Sequence, residues 1–275
     1  MFRSALRKAS VLVGFGLGAA LASCGHRETK PAPELEARPA PVTSESDAIR
    51  RGKLLVSRTK EELPGHVGNG LHCTSCHLKD GTQKNAGPWV GLVGMFPEYR
   101  ARNAKKNTIE ERVNDCFERS MNGKPLPTDG PEMTAIVAYM KFLSKDVPPG
   151  REVEGRGFAR IKPAPTPNRE HGKELYATRC ASCHGADGAG ITGPDGAYVF
   201  PALWGDRSFN IGAGMARLHT AAAFVKGNMP LGQGGTLSDQ DAYDIADWFI
   251  HQPRPDLPGK EKDWPNGGKP DDARY

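Results

Sequence analysis

The pentad Cys73-Thr74-Ser75-Cys76-His77 returns as Cys180-Ala181-Ser182-Cys183-His184, about a hundred residues further on, an internal repeat of domain size. Two thiols spaced Cys-x-x-Cys and followed at once by His form the attachment sequence of a c-type haem. The thiols become thioethers to the vinyl groups, and the His supplies the proximal axial nitrogen to the iron. A four-cysteine zinc ribbon is the competing use of two such pairs. Its pairs lie about 15 to 20 residues apart, and neither needs the trailing His. The repeat therefore predicts two covalently bound haem c groups, held by Cys73, Cys76 and His77 and by Cys180, Cys183 and His184.

Each pentad sits in a comparable setting. Asn168 can cap a helix in which Gly172, Leu175 and Tyr176 recur at helical spacing up to Cys180. In the first half a helix is expected from Ser46 to Val56, followed by a loop with Pro64, Gly65, Gly68 and Gly70. Helices close both halves, Glu132 to Leu143 and Ser238 to Ile250, each with an apolar face. With only 37% hydrophobic residues against 33 Gly and 23 Pro, something other than side chains must fill the centre of each half. The expected fold is all-α: two class I cytochrome c-like domains in tandem, each wrapped around one covalent haem. The domains are expected at 46–146 and 168–252, joined by a proline-rich linker at 147–167, with a tail at 253–275 lying on the surface.

The N-terminus reads as an export signal at 1–23. Arg3, Arg7 and Lys8 precede an uncharged apolar stretch from Ala9 to Ala22, shorter than the roughly 20 residues that span a bilayer. Leu21-Ala22-Ser23-Cys24 resembles a bacterial lipobox, which makes Cys24 the expected lipidation site, with a flexible tether at 24–45. Removing those three cations lowers the formal charge from +5 to +2, against a nucleic-acid partner. The chain is expected on the periplasmic side of the bacterial envelope, lipid-anchored at Cys24, where thioether attachment takes place. Of the six cysteines only Cys116 is left without a duty, and an unpaired Cys in an exported chain points to a role for its thiolate.

The sixth ligand of each iron is less constrained. Met229, followed by Pro230 and the closing helix, resembles the axial Met segment of class I cytochromes c; Met215 and His219 compete, in a run from Ala213 to Val225 that is equally well a helix. In the first half Met121, Met133 and Cys116 are all candidates. A Cys116 thiolate would lower the potential where Met raises it, giving two unlike haems.

The segments Phe96-Pro97-Glu98-Tyr99-Arg100, Cys116-Phe117-Glu118-Arg119-Ser120-Met121-Asn122-Gly123 and Asn228-Met229-Pro230, together with the two haem motifs, resemble the thiosulfate dehydrogenases, diheme cytochromes that interconvert thiosulfate and tetrathionate. The resemblance implies His77 and Cys116 as axial ligands of a catalytic first haem, and His184 and Met229 at a second haem that passes electrons to a soluble c-type cytochrome or other redox carrier. It implies Arg102, Arg112 and Ser120 as anion-binding residues, and a Cys116 that leaves the iron to form a covalent thiosulfate adduct. Some relatives carry a Lys directly before the distal Met and exchange ligands on reduction; Asn228 stands there in this chain, so His/Met ligation is expected in both redox states. Independently of the family, Arg100, Arg102, Lys105, Lys106, Arg112 and Arg119 crowd around Cys116 in sequence. They read either as a field that draws in a dianion or as a solvated helix face shared with Glu110 and Glu111. A non-catalytic electron-transfer cytochrome is the alternative function; a diheme peroxidase would betray itself by peroxide turnover.

Overall fold

The computed structural model describes residues 44–275. The expected signal, tether and Cys24 lipidation site lie outside the described residues. No helix among the described residues is long and apolar enough to cross a membrane.

The first half opens with α1 (Glu45–Ser57), whose N-cap Ser44 accepts from Asp47 N, and the single turn α2 (Thr59–Glu62). The turn α3 (Leu78–Gly81) follows the first pentad. A hairpin of β1 (Glu98–Arg100) and β2 (Lys105–Asn107) precedes α4 (Ile109–Arg119), and α5 (Pro131–Ser144) closes the half. The second half repeats the plan: α6 (Arg169–Arg179) is capped by Asn168, α7 (Ala181–His184) carries the second pentad, and β3 (Ile191–Thr192) pairs with β4 (Tyr198–Phe200). Then come α8 (Leu218–Asn228) and α9 (Asp239–Ile250). The helices predicted at Ser46–Val56, Glu132–Leu143, Ser238–Ile250 and after Asn168 fall within a residue or so of those observed, whereas the run Ala213–Val225 becomes α-helical only from Leu218. The two short hairpins are additions to an otherwise helical architecture.

In each half the first and last long helices cross at a glycine. A Cβ on Gly52 of α1 would lie 2.0 Å from Ala135 O of α5, and one on Gly172 of α6 would lie 1.9 Å from Asp244 O of α9. The hydrophobic effect drives both crossings: Leu55, Val56 and Ile136 are buried in the first, Tyr176, Tyr243 and Ile245 in the second. Tyr176, Trp204 and Trp248 stack with centroids 4.6 to 5.1 Å apart.

Both halves belong to one compact unit, and buried asparagines tie them together. Asn210 donates to Glu118 O at 2.9 Å and its backbone N–H to Arg119 O at 3.2 Å. Asn69 donates to Ser120 O at 2.8 Å and to Ser208 O at 3.0 Å. These bonds occupy carbonyls that the end of α4 would otherwise leave unpaired, so a loop of the second half caps the helix that carries Cys116. Asn228 adds a third tie, donating to Asn85 O at 3.0 Å. The expected linker packs closely on the first half: Asn85 N and Gly87 N both donate to it at 2.8 Å, to Gly155 O and Gly157 O.

The tail differs from the expectation of a surface segment. Leu257 and Trp264 are buried, and Gly205 N and Ile211 N donate to Pro253 O and Pro255 O. Few apolar residues suffice here because backbone hydrogen bonds and arginine contacts hold the rest.

Candidate functional site

Two cavities mark the two pentads. The larger, about 330 Å³, is lined by Cys180, Cys183, His184, Met215 and Met229 among mainly apolar side chains. The smaller, about 60 Å³, is lined by Cys73, Cys76, His77, Cys116 and Ser120. Leu71 and Cys76 line both.

The imidazoles are oriented alike. His77 Nδ1 bonds Gly87 O, and His184 Nδ1 bonds Pro201 O at 2.9 Å. A carbonyl can only accept, so Nδ1 carries a proton and Nε2 is the nitrogen left to face a metal. His77 also lies against Trp89, with ring centroids 4.8 Å apart. The pentad cysteines are free thiols; burial pushes Cys73 and Cys76 up to about 12 and Cys180 up to about 11. Two thiols spaced Cys-x-x-Cys beside a pre-oriented imidazole, at the wall of an apolar cavity, are the donor set that a covalent haem requires.

Cys116 is a different thiol. Thr108 and Glu111 form a capping box that starts α4, and Ile109, Val113 and Phe117 bury one face of the helix. That fixes the neighbouring face, on which Arg112, Cys116 and Ser120 follow at intervals of one turn. Arg112 Nη1 donates to Cys116 Sγ at 2.9 Å. Burial pushes this thiol up, yet the Arg112 charge, then the hydrogen bond and charge of His77, outweigh it and bring the pKa down to about 7. Cys116 is thus the one cysteine of its cavity poised as a thiolate near neutrality, and it faces the free side of His77.

Of the other candidates, Met133 is wholly buried in the core and absent from the cavity wall, whereas Met121 lines it. In the second half His219 is taken up by Tyr243 Oη at 2.9 Å, while Met215 and Met229 both reach the cavity. Lys226 is held by Leu237 O and Asp239.

The basic crowd resolves into separate duties. Arg119 is paired bidentately with Asp263 at 2.8 Å, Lys105 with Glu111 at 2.7 Å and Arg100 with Glu98 at 3.2 Å. Only Arg112 bonds Cys116. Arg102 is absent from the cavity wall; it lies beside α4, near Asp263 and over the Trp264 ring. Sequence reasoning missed Trp89, Asn210 and the tail residues at Arg102, none of which carries a local motif.

Residues 66–148 match the family described as "SoxA/TsdA, cytochrome c domain", and residues 167–249 match "Cytochrome C oxidase, cbb3-type, subunit III". A curated thiosulfate dehydrogenase of Psychrobacter arcticus is 52% identical over 227 residues, 82% of this chain and 69% of that protein. The chain belongs to the thiosulfate dehydrogenase family. A second thiosulfate dehydrogenase, from Allochromatium vinosum, is 48% identical over 213 residues, 76% of this chain and 79% of its own length. The solved thiosulfate dehydrogenase (TsdBA) of Marichromatium purpuratum superposes with a TM-score of 0.72 at 38% identity, over 78% of this chain. This chain spans 48% of that longer polypeptide. As a thiosulfate dehydrogenase, the protein is an oxidoreductase with two tandem cytochrome c domains, which carry two covalent haem c groups.

Proposed function

We propose that the chain interconverts thiosulfate and tetrathionate, 2 S₂O₃²⁻ ⇌ S₄O₆²⁻ + 2 e⁻, at the first cavity. Electrons pass through the second half to a soluble c-type cytochrome or other redox carrier, on the periplasmic side of the envelope, with Cys24 as lipid anchor. The domain at 46–146 is the catalytic one and that at 168–252 the electron-transfer one. His77 and Cys116 would hold the iron of the first haem, and His184 and Met229 that of the second. The observation that carries this reading is the Cys116 sulfur, bonded by Arg112 at 2.9 Å and set on the same cavity wall as Cys73, Cys76 and His77.

The haems, when bound, supply one-electron acceptors. The protein's own part begins with charge. Two thiosulfate dianions repel each other, and fixed guanidinium groups offset that repulsion without reorganising. Arg112, half-buried beside the sulfur, and Ser120, on the cavity wall, suit the sulfonate oxygens, with Arg102 as a third partner reaching in from outside that wall; planar guanidinium forks match such oxyanions. The Cys116 thiolate forms a sulfur–sulfur bond to the outer sulfur of one thiosulfate, and two electrons leave. The outer sulfur of a second thiosulfate then attacks the adduct at that sulfur. Tetrathionate departs and the Cys116 thiolate returns, which Arg112 favours by stabilising the leaving anion.

Cys116→Gly tests the reading. Both haems remain attached, because Cys73, Cys76, Cys180 and Cys183 are untouched, and turnover of thiosulfate and of tetrathionate falls to background. An unchanged rate would remove Cys116 from the chemistry and leave an electron-transfer cytochrome. Reduction of the purified protein by thiosulfate alone separates those two functions directly.

A further inference from the structure

We infer that the tail segment bearing Asp263 and Trp264 is a positioning element for the substrate-binding guanidinium of Arg102. The inference rests on the proposal above that Arg102 meets the sulfonate oxygens.

Arg102 is held on three sides. Its guanidinium carbon lies 4.8 Å from the centre of the Trp264 ring, its Nη1 donates to Gly212 O at 2.6 Å, and its own backbone carbonyl accepts from Trp264 N at 2.7 Å. Trp264 reaches this position at a φ of +57°, a left-handed conformation that is rare for a bulky residue and persists only where its surroundings enforce it. Tyr275 packs on Trp264 as well, with ring centroids 5.4 Å apart, and its hydroxyl bonds Asp263.

The ion pairing leaves Arg102 its charge. Asp263 sits between two arginines, but its oxygens bond Arg119 at 2.8 Å each, and the nearest approach to Arg102 is 3.6 Å. Arg119 is one turn past Cys116 on α4, so Asp263 ties the tail to the reactive helix. The Nε and Nη2 groups of Arg102 have no hydrogen-bond partner among the described residues and are not sealed from solvent. A cation whose stem is locked, whose face is stacked and whose outer donors are free is arranged to take an oxyanion with little loss of side-chain freedom.

The test is a cycle of Trp264→Leu, Arg102→Ala and the double variant, with KM and kcat for thiosulfate measured on the diheme protein and haem spectra as a check of integrity. Losing the stacked ring raises KM about tenfold in Trp264→Leu, with kcat within about twofold. Trp264→Phe, which keeps an aromatic face, raises it about threefold. In the Arg102→Ala background both substitutions at 264 lose their effect on KM. Should Trp264→Leu fail to fold, the cycle is read with Trp264→Phe. A similar rise in KM with and without Arg102 overturns the inference, as does an unchanged KM at 264 where Arg102→Ala raises it. An unchanged KM in Arg102→Ala itself instead refutes the underlying assignment of Arg102 to substrate, and the positioning role with it.

Discussion

Arg112→Gln isolates the charge that makes Cys116 a thiolate. The thiol stands at about 7 against an ordinary 9.0, although burial alone would raise it; the Arg112 charge is the largest influence opposing that burial. Gln keeps a hydrogen-bond donor and most of the stem but not the charge, so burial is opposed by His77 and a weaker donor alone and the thiol moves back toward the ordinary 9.0. At pH 7 a thiol of pKa about 7 is half ionised and one back at the ordinary 9.0 is roughly 1% ionised, a loss of about fifty-fold, or about 2.3 kcal/mol. The assay is kcat for thiosulfate oxidation across pH at saturating substrate, with KM recorded separately. A part played by Arg112 in binding the anion raises KM, while its part in ionising Cys116 moves the acid limb of kcat from near 7 toward 9.0. An acid limb that stays near 7 in Arg112→Gln would refute the claim that this guanidinium sets the thiolate.

Gly172→Ala places a methyl 1.9 Å from Asp244 O and 2.4 Å from its carbonyl carbon, so α6 and α9 must part. Overpacking of about 1–3 kcal/mol exceeds the helix-propensity gain of about 1 kcal/mol, and urea unfolding should show a net loss of stability. His171 is raised by its hydrogen bond to Asp244. Its contribution is complete below the ordinary value of 6.5 and fades as pH rises through the raised one. The Tm advantage over His171→Gln should therefore narrow from mildly acidic to alkaline pH; an advantage that grows with pH would contradict the assignment.

The parts of this protein that could be read from its sequence are those written in short-range chemistry. The pentads announce their cofactor, the 3.6-residue periodicity of Ile136, Met140 and Tyr243 announces the closing helices, and Cys116 stands out because every other cysteine has a duty. What stayed hidden is long-range. Arg119 finds Asp263 across 144 residues, which turns an apparently uniform basic field into paired cations and two guanidiniums with charge to spare, Arg112 at the sulfur and Arg102 beyond it. Asn69 and Asn210 look like loop residues until the second half closes on the end of α4. The tail looked too polar to pack, because stacking on arginine and pairing with a remote backbone leave no periodic trace.

Leu71 and Cys76 face both cavities, so the wall between the two haem sites is there a single layer of side chains. A bulkier or more polar side chain at position 71 would disturb both pigments in a single stroke. Tuning one potential at that seam without shifting its neighbour is closed to this architecture, and independent adjustment has to come from residues that line one cavity alone, Cys116 on one side and Met229 on the other.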